Sequence, residues 1–424
     1  MTEASRPILE RRFSAVPTES AAVQAAVEQA ALARDLDASG AARLGQAVEE
    51  VMAFIATRAP GSDFAVEVRD RRHAIEARAR CRLAADAMHW FNMTQPIDVA
   101  DPTAMQALEL LMVSRLVDRL SVALDPDGDA VLTLEMARQY VASPAEPAVQ
   151  PGPPGDPKPA DAATMAGLAR LFRRRFGVGI PPAFQADGLA VDLLASGELS
   201  ALVATDAAGR VVAGLAWRAR TPRLIEMVGP VSAKEDPNLA GRLVAALLET
   251  LDGTGAAMVV AEERGPGFPA GEFDCLGQLG SRPIHFRALP GDSAGVSWVD
   301  AASRPFLAVF YEGLALHRTL RDVGAPAATR PARALLAAEI DRLASRVTLR
   351  PLVDGADLPA LIDAHVERFA GEGLDDFRFE TDHGVPWQAA LGRELLAAGF
   401  APRVVLPYAG TGDVLVWERD WMPM

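Results

Sequence analysis

Cysteine is nearly absent. Cys81 and Cys275 are the only two in 424 residues, and neither falls in a CxxC or Cys/His ligand spacing. This excludes a disulfide-stapled scaffold and supplies no zinc motif, so no metal site is expected. Long apolar runs are also missing, and the opening MTEASRPILERRF lacks the apolar core of a secretion signal. The expectation is a cytoplasmic chain with no membrane partner. The six histidines, His73, His89, His285, His317, His365 and His383, make no HxH or HxxxH pair and read as structural or exposed. Positive charge is in deficit as well. A net charge of -14 would repel a polyanion over most of the surface, which argues against nucleic acid as a partner.

What is present is a globular composition, half of it apolar, in a chain long enough for two or three cores. The clearest break is ASPAEPAVQPGPPGDPKPADA, residues 142–162, where proline and glycine interrupt every helical or strand period. It predicts an N-terminal domain over 1–141 and a linker over 142–162. A mixed domain over 163–322 follows, then a linker and helix over 323–345, then a further unit over 346–424. Helical periods alternate with short strand runs throughout, which predicts an α+β (α/β sandwich) class. Val347 to Phe369 is expected to begin a second copy of the middle domain's architecture.

In AVEEVMAFIATRA, Glu50, Phe54 and Arg58 follow one another at i, i+4 spacing on one helix face. With the order helix, helix, strands, helix, hairpin, this stretch resembles the histidine-kinase-type (GHKL, Bergerat) ATPase fold, in its anti-sigma-factor serine-kinase branch. In that family the three positions are Glu, Asn and His. The resemblance implies Glu50 as general base, but Phe54 stands where the family's magnesium-binding Asn would be. Further on, Asn92 and Thr94 occupy the places of the adenine-reading Asp and its Gly, with Asn92 able to read adenine through its amide. Ala107 and Glu109 replace the glycines of the phosphate lid. ATP binding is therefore expected to be degenerate, magnesium lost and turnover absent.

In the middle domain a hairpin turning at Ala207 to Gly209 is followed by the strand LIEMVGPV and the helix NLAGRLVAALLE. This order resembles the GNAT acetyltransferase fold, in which a splayed strand admits acetyl-CoA and a glycine-containing helix start meets its pyrophosphate. The resemblance implies cofactor contacts at Gly241, Arg242 and Lys234 and a general base at Glu226. Asn238 and Leu243 depart from the family pattern, and Leu243 is expected to crowd the phosphates. The ending LGRELLAAGFAPRVVLP with GDVLVWERD is similar to the close of GNAT domains and makes Glu394 and Tyr408 pocket candidates. The basic run FRRRFG is expected to be a solvated face.

The chain as a whole resembles a bacterial fusion of an anti-sigma-kinase-like domain with a GNAT-like region. The expected function is a regulatory or scaffolding protein with eroded sites, acting through a protein partner, with a homodimer through the N-terminal domain. The alternative is an acetyl-CoA-dependent N-acetyltransferase with an N-terminal sensor.

Overall fold

A computed structural model describes residues 7–92, 94, 108–141, 152–262, 267–290, 292–324, 330–341 and 345–420. The N-terminal unit runs β1 (Leu9–Ser14), α1 (Ser20–Leu32), α2 (Ala38–Arg58), β2 (Asp63–Asp70), β3 (Ala74–Cys81), α3 (Leu108–Leu116), β4 (Arg119–Leu124) and β5 (Ala130–Ala137). Its strands form an antiparallel sheet in the order β1-β2-β3-β5-β4. Helix α2 starts where the Asp37 carboxylate accepts from Gly40 N at 2.9 Å, a side-chain cap on an otherwise orphan donor. Its buried positions Leu44, Val48, Val51 and Ile55 repeat at helical spacing and face the core. Against α1 the two backbones approach closely at Gly45, where a Cβ would lie 3.0 Å from Gln24 O.

The middle unit comprises β6 (Lys158–Pro159), α4 (Ala162–Phe176), α5 (Asp187–Ser196), β7 (Ser200–Thr205), β8 (Val211–Ala219), β9 (Leu224–Ser232), α6 (Pro237–Leu251), β10 (Met258–Glu262), β11 (Asp274–Leu279) and β12 (Arg282–Ala288). The strand order is β11-β12-β10-β9-β8-β7-β6, and only the β9–β10 pair is parallel. The last residues of the proline-rich stretch belong to this sheet. Lys158 and Pro159 pair with Val203 and Leu202, and Gly155 N donates to Thr205 O at 2.9 Å. One face is closed by α6 over Ile225, Met227, Val259 and Ala261, the other by α4 and α5 over Ala201, Val203 and Ala216.

The remainder forms β13 (Gly295–Val299), α7 (Arg304–Gly313), β14 (Arg318–Asp322), β15 (Leu335–Asp341), β16 (Arg346–Val353), α8 (Leu358–Ala370), β17 (Asp376–Asp382), α9 (Pro386–Ala389), α10 (Gly392–Ala397), β18 (Ala401–Leu406) and β19 (Val414–Asp420). Strands β13 and β14 make a parallel pair around α7, tied to the last unit where Trp298 N donates to His383 O at 2.8 Å. The last sheet has the order β15-β16-β17-β19-β18, again with one parallel pair, β16–β17, joined by a helix. This repeats the middle sheet's run β8-β9-β10-β12-β11.

Two expectations need correction here. The helix expected within 323–345 is strand β15, because seven residues from Leu335 to Asp341 pair along β16. Its Ala, Leu and Glu content favours helix, and ladder pairing outweighs that preference. Residues 292–322, assigned to the middle domain, hydrogen-bond to the last unit.

The last sheet stands between the other two. Edge strand β15 lies against β4 of the first sheet, and edge strand β18 lies against β11 of the middle sheet. At the second junction a Cβ on Gly277 would meet Arg403 O at 2.9 Å, and Glu418 accepts from Gly280 N at 2.9 and 3.0 Å. At the first, Asn92 is buried with its amide split between two backbone groups of the last unit. It donates to Ala334 O at 2.7 Å and accepts from Leu336 N at 2.9 Å. Removing that amide leaves a buried carbonyl and a buried N–H without partners. Asn92→Ala is therefore expected to cost roughly 2–4 kcal/mol in urea unfolding, and a loss below about 0.5 kcal/mol would contradict the junction as described.

Candidate active site

In the middle sheet the parallel ladder is short. Strand β10 pairs with β9 only from Met258↔Leu224 to Ala261↔Met227, while β9 continues to Ser232 with no further ladder partner on that side among the described residues. On its other side β9 stays paired to β8 through a bulge, the register shifting between Gly214 and Ala216 opposite Val228 and Val231. A bulge bends its strand and sharpens the local twist. Gly229, at φ +95, supplies the backbone conformation there. The bent end of β9, Val228 to Ser232, thus presents an edge with no ladder partner on the β10 side among the described residues.

Helix α6 begins just after β9. Asp236 caps it by accepting from Leu239 N at 3.1 Å, and Pro237 fills the first turn, where its missing N–H costs nothing. Lys234 and Asn238 are exposed beside this start. Gly241 faces open space, since a Cβ there would meet nothing within 4 Å. Arg242 is exposed and donates to Gly155 O at 3.1 Å and Asp156 Oδ1 at 2.6 Å. Asp156 is 98% exposed, so that ion pair is a weak surface contact. Leu243 does not crowd this place as expected. It is fully buried in the core between α6 and the sheet.

Glu226 lies one residue before the last β9–β10 pair, on the face turned to the last unit. Its Oε2 accepts from Arg218 Nε at 2.7 Å and its Oε1 from Arg220 Nη1 at 3.5 Å. In the basic run, Arg174 and Arg175 are exposed, with Arg175 3.6 Å from Glu235, while Arg173 holds Asp187, as does Arg170 just before the run. Only the Arg173 contact of the run ties α4 to α5.

The residues of the ATPase-type outline are spent on packing. Phe54 is buried, 5.7 Å from Phe91, with the Arg58 guanidinium 3.7 Å from its ring centroid. Glu50 is half-buried on α2. Asn92 holds β15 rather than an open pocket. Thr94 Oγ1 lies 2.5 Å from His365 Nδ1, which also donates to Leu361 O at 2.8 Å. Residue 107 lies outside the described residues, as does the side chain of Glu109. Among the described residues no group of three or more His, Cys, Asp or Glu side chains is placed to hold a metal, and no helix is long and apolar enough to cross a membrane.

Part of the chain is similar in structure to acetyltransferases. One is an aminoglycoside 6'-acetyltransferase type Ii, 13% identical, with a TM-score of 0.27 over 32% of this chain and 97% of that one. A second is a GNAT superfamily phosphinothricin acetyltransferase from Sinorhizobium meliloti, in complex with AcCoA. It is 19% identical, with a TM-score of 0.26 over 31% and 87%. A third is an acetyltransferase from Thermus thermophilus, 15% identical, with a TM-score of 0.26 over 32% and 96%. No family model and no curated protein matches the sequence. Nothing in these comparisons bears on the ATPase-type resemblance of residues 1–141.

Sequence reasoning missed the polar residues that join the units. Arg220 donates to both oxygens of Glu380, at 2.9 and 3.0 Å, and Arg350 donates to the same carboxylate at 2.7 Å. Arg350 also holds Glu339 at 2.8 Å, and Arg119 of β4 reaches Glu339 at 3.7 Å. Burial alone would raise the Glu380 carboxyl, but the charges of Arg220 and Arg350 outweigh it and hold the group below the ordinary range. The available signal was a single charge, Arg350, inside the apolar strand run VTLRPLV; Glu380 stands among other charges in FRFETD and has no such mark. Tyr408 forms a second cluster, its φ at +61. Its ring sits under Arg223 and Arg318, and its hydroxyl accepts from Ser293 N at 3.0 Å and donates to Asp292.

His365 gives a pH signature for the first junction. It is fully buried, and burial pushes its pKa down to about 4 from 6.5. Between those values the unfolded chain binds a proton that the folded chain does not, so stability rises with pH through that window and falls on acidification. Urea unfolding from pH 7 to 4.5 should show a steeper loss in the wild type than in His365→Leu. Equal slopes would contradict a buried neutral imidazole.

Proposed function

We propose that this chain is an acetyl-CoA-dependent N-acetyltransferase-like protein whose middle unit takes the acyl-CoA. The observation that supports it is the edge of β9 past Met227, which has no ladder partner on the β10 side among the described residues and leads into the first turn of α6. An extended amide-bearing arm laid along β9 there can pair with strand backbone that β10 leaves unpaired. The diphosphate would lie over the open face at Gly241, near Lys234, Asn238 and Arg242. A helix start favours negative charge at this place, and exposed Arg242 would give up its contacts with Gly155 O and Asp156 to turn toward it. Acyl-CoA supplies an activated thioester carbonyl for an amine to attack. We assign Glu226 to the ion pairs with Arg218 and Arg220 rather than to proton transfer, because both of its oxygens already accept from guanidinium groups.

The N-terminal unit reads as a docking domain without nucleotide chemistry. Its ATPase-type resemblance gives Asn92 and Thr94 as nucleotide-facing positions, and both instead contact the last unit.

The test is acetyl-CoA binding by calorimetry and thermal shift, compared in Gly241→Glu. That side chain has room, so the variant should melt within a degree or two of the wild type. A carboxylate beside a diphosphate repels it, so affinity should fall at least tenfold. Saturating acetyl-CoA at about a hundred times its Kd should raise the wild-type melting point by a few degrees. Absence of acyl-CoA binding by the wild type at millimolar concentration would remove the proposal.

A further inference from the structure

The last sheet repeats the middle sheet's strand order, including a parallel pair that ends early. Strands β16 and β17 pair from Arg346↔Asp376 to Leu349↔Phe379, while β16 continues to Val353 and β17 to Asp382. A wedge should therefore open here. It is filled by the chain itself. Gln388 of α9 lies between the strands, its Nε2 donating to Pro351 O at 3.0 Å and its Oε1 accepting from Asp382 N at 2.8 Å. One carboxamide thus satisfies an acceptor on one splayed strand and a donor on the other, the two bonds an amide of an extended ligand would make.

The start of α8 is filled in the same way. A Cβ on Gly355 would overlap the Ala334 backbone, so residues 333 and 334 lie directly on the strand-to-helix turn. Ala356 N donates to Pro331 O at 2.7 Å, and Asp357 accepts from Ala334 N at 2.6 Å. Arg330 pairs with Asp354 at 2.5 Å and with Glu394. The turn equivalent to that at exposed Lys234, just before α6, is thus covered by backbone and by an arginine with two carboxylates. The Asp382 carboxylate is enclosed as well, accepting from Gly384 N at 2.8 Å, Thr411 N at 2.6 Å and Gly412 N at 2.9 Å.

We infer that the last unit is a self-occupied counterpart of the middle unit, in which Gln388 holds the place of a ligand amide and residues 330–334 that of a ligand phosphate. The chain therefore takes one acyl-CoA, not two. The stoichiometry rests on the function proposed above. The plug itself does not, and the two are tested separately.

Calorimetry with acetyl-CoA should give one site per chain, weakened at least tenfold in Gly241→Glu. Two sites in the wild type, or a site of wild-type affinity surviving in Gly241→Glu, would overturn the inference. For the plug, amide hydrogen exchange at Asp382 is read without ligand in the wild type, Gln388→Ala and Gln388→Glu. Loss of the carboxamide in Gln388→Ala should speed Asp382 exchange at least tenfold, and Gln388→Glu, which keeps an oxygen acceptor for Asp382 N, should restore much of the protection. Unchanged exchange in Gln388→Ala would overturn the plug whether or not acetyl-CoA binds. If the plug holds and the wild type binds no acetyl-CoA, the proposed function fails and the one-site count fails with it.

Discussion

Glu380 is the carboxylate on which the arrangement of the units depends. It is almost completely buried on the last sheet and accepts from Arg220 of the middle unit and Arg350 of its own. An isolated charge in that position would be expensive, and two guanidinium partners make it tolerable. Through Glu339 the same line of charges reaches Arg119 on the first sheet. Specific polar contacts of this kind fix position more than they add stability. Apolar packing supplies the bulk, in one continuous core that runs from α2 through the last sheet to Leu276, Ile284 and Phe286 of the middle unit.

From this follows a division of labour between two sheets of like order. The last sheet has a neighbour at each edge, and its wedge and helix start are taken up by Gln388 and by residues 330–334. The middle sheet keeps β9 extended past its partner and the face of α6 open at Gly241. In the N-terminal unit the Asn92 amide is likewise taken up by two backbone groups of the last unit.

Much of this was legible in the sequence wherever local chemistry and periodicity agreed. The hairpin at Ala207 to Gly209, strand β9 and helix α6 follow from alternation, a left-handed glycine and an Asp-Pro helix start. Strand β15 was not legible. LLAAEID has the composition of a helix and becomes a strand only because β16 is there to pair with it. Leu243 belongs to the sheet-facing stripe of α6, a position set by helix periodicity that its place in the glycine motif does not show. Glu380, Arg220 and Arg350 lie on different elements far apart in sequence, and nothing local marks them as partners. Gln388 is likewise an ordinary residue until the two strands it bridges are known to splay.

A double-mutant cycle between Arg220 and Glu380, using Arg220→Met and Glu380→Gln in equilibrium unfolding, tests the central claim most directly. The account predicts a coupling of about 1.5 kcal/mol or more, as expected for a buried, doubly hydrogen-bonded charge pair across an interface. A coupling below about 0.5 kcal/mol would mean that the units are held by apolar packing alone, and that the buried carboxylate does not set how they meet.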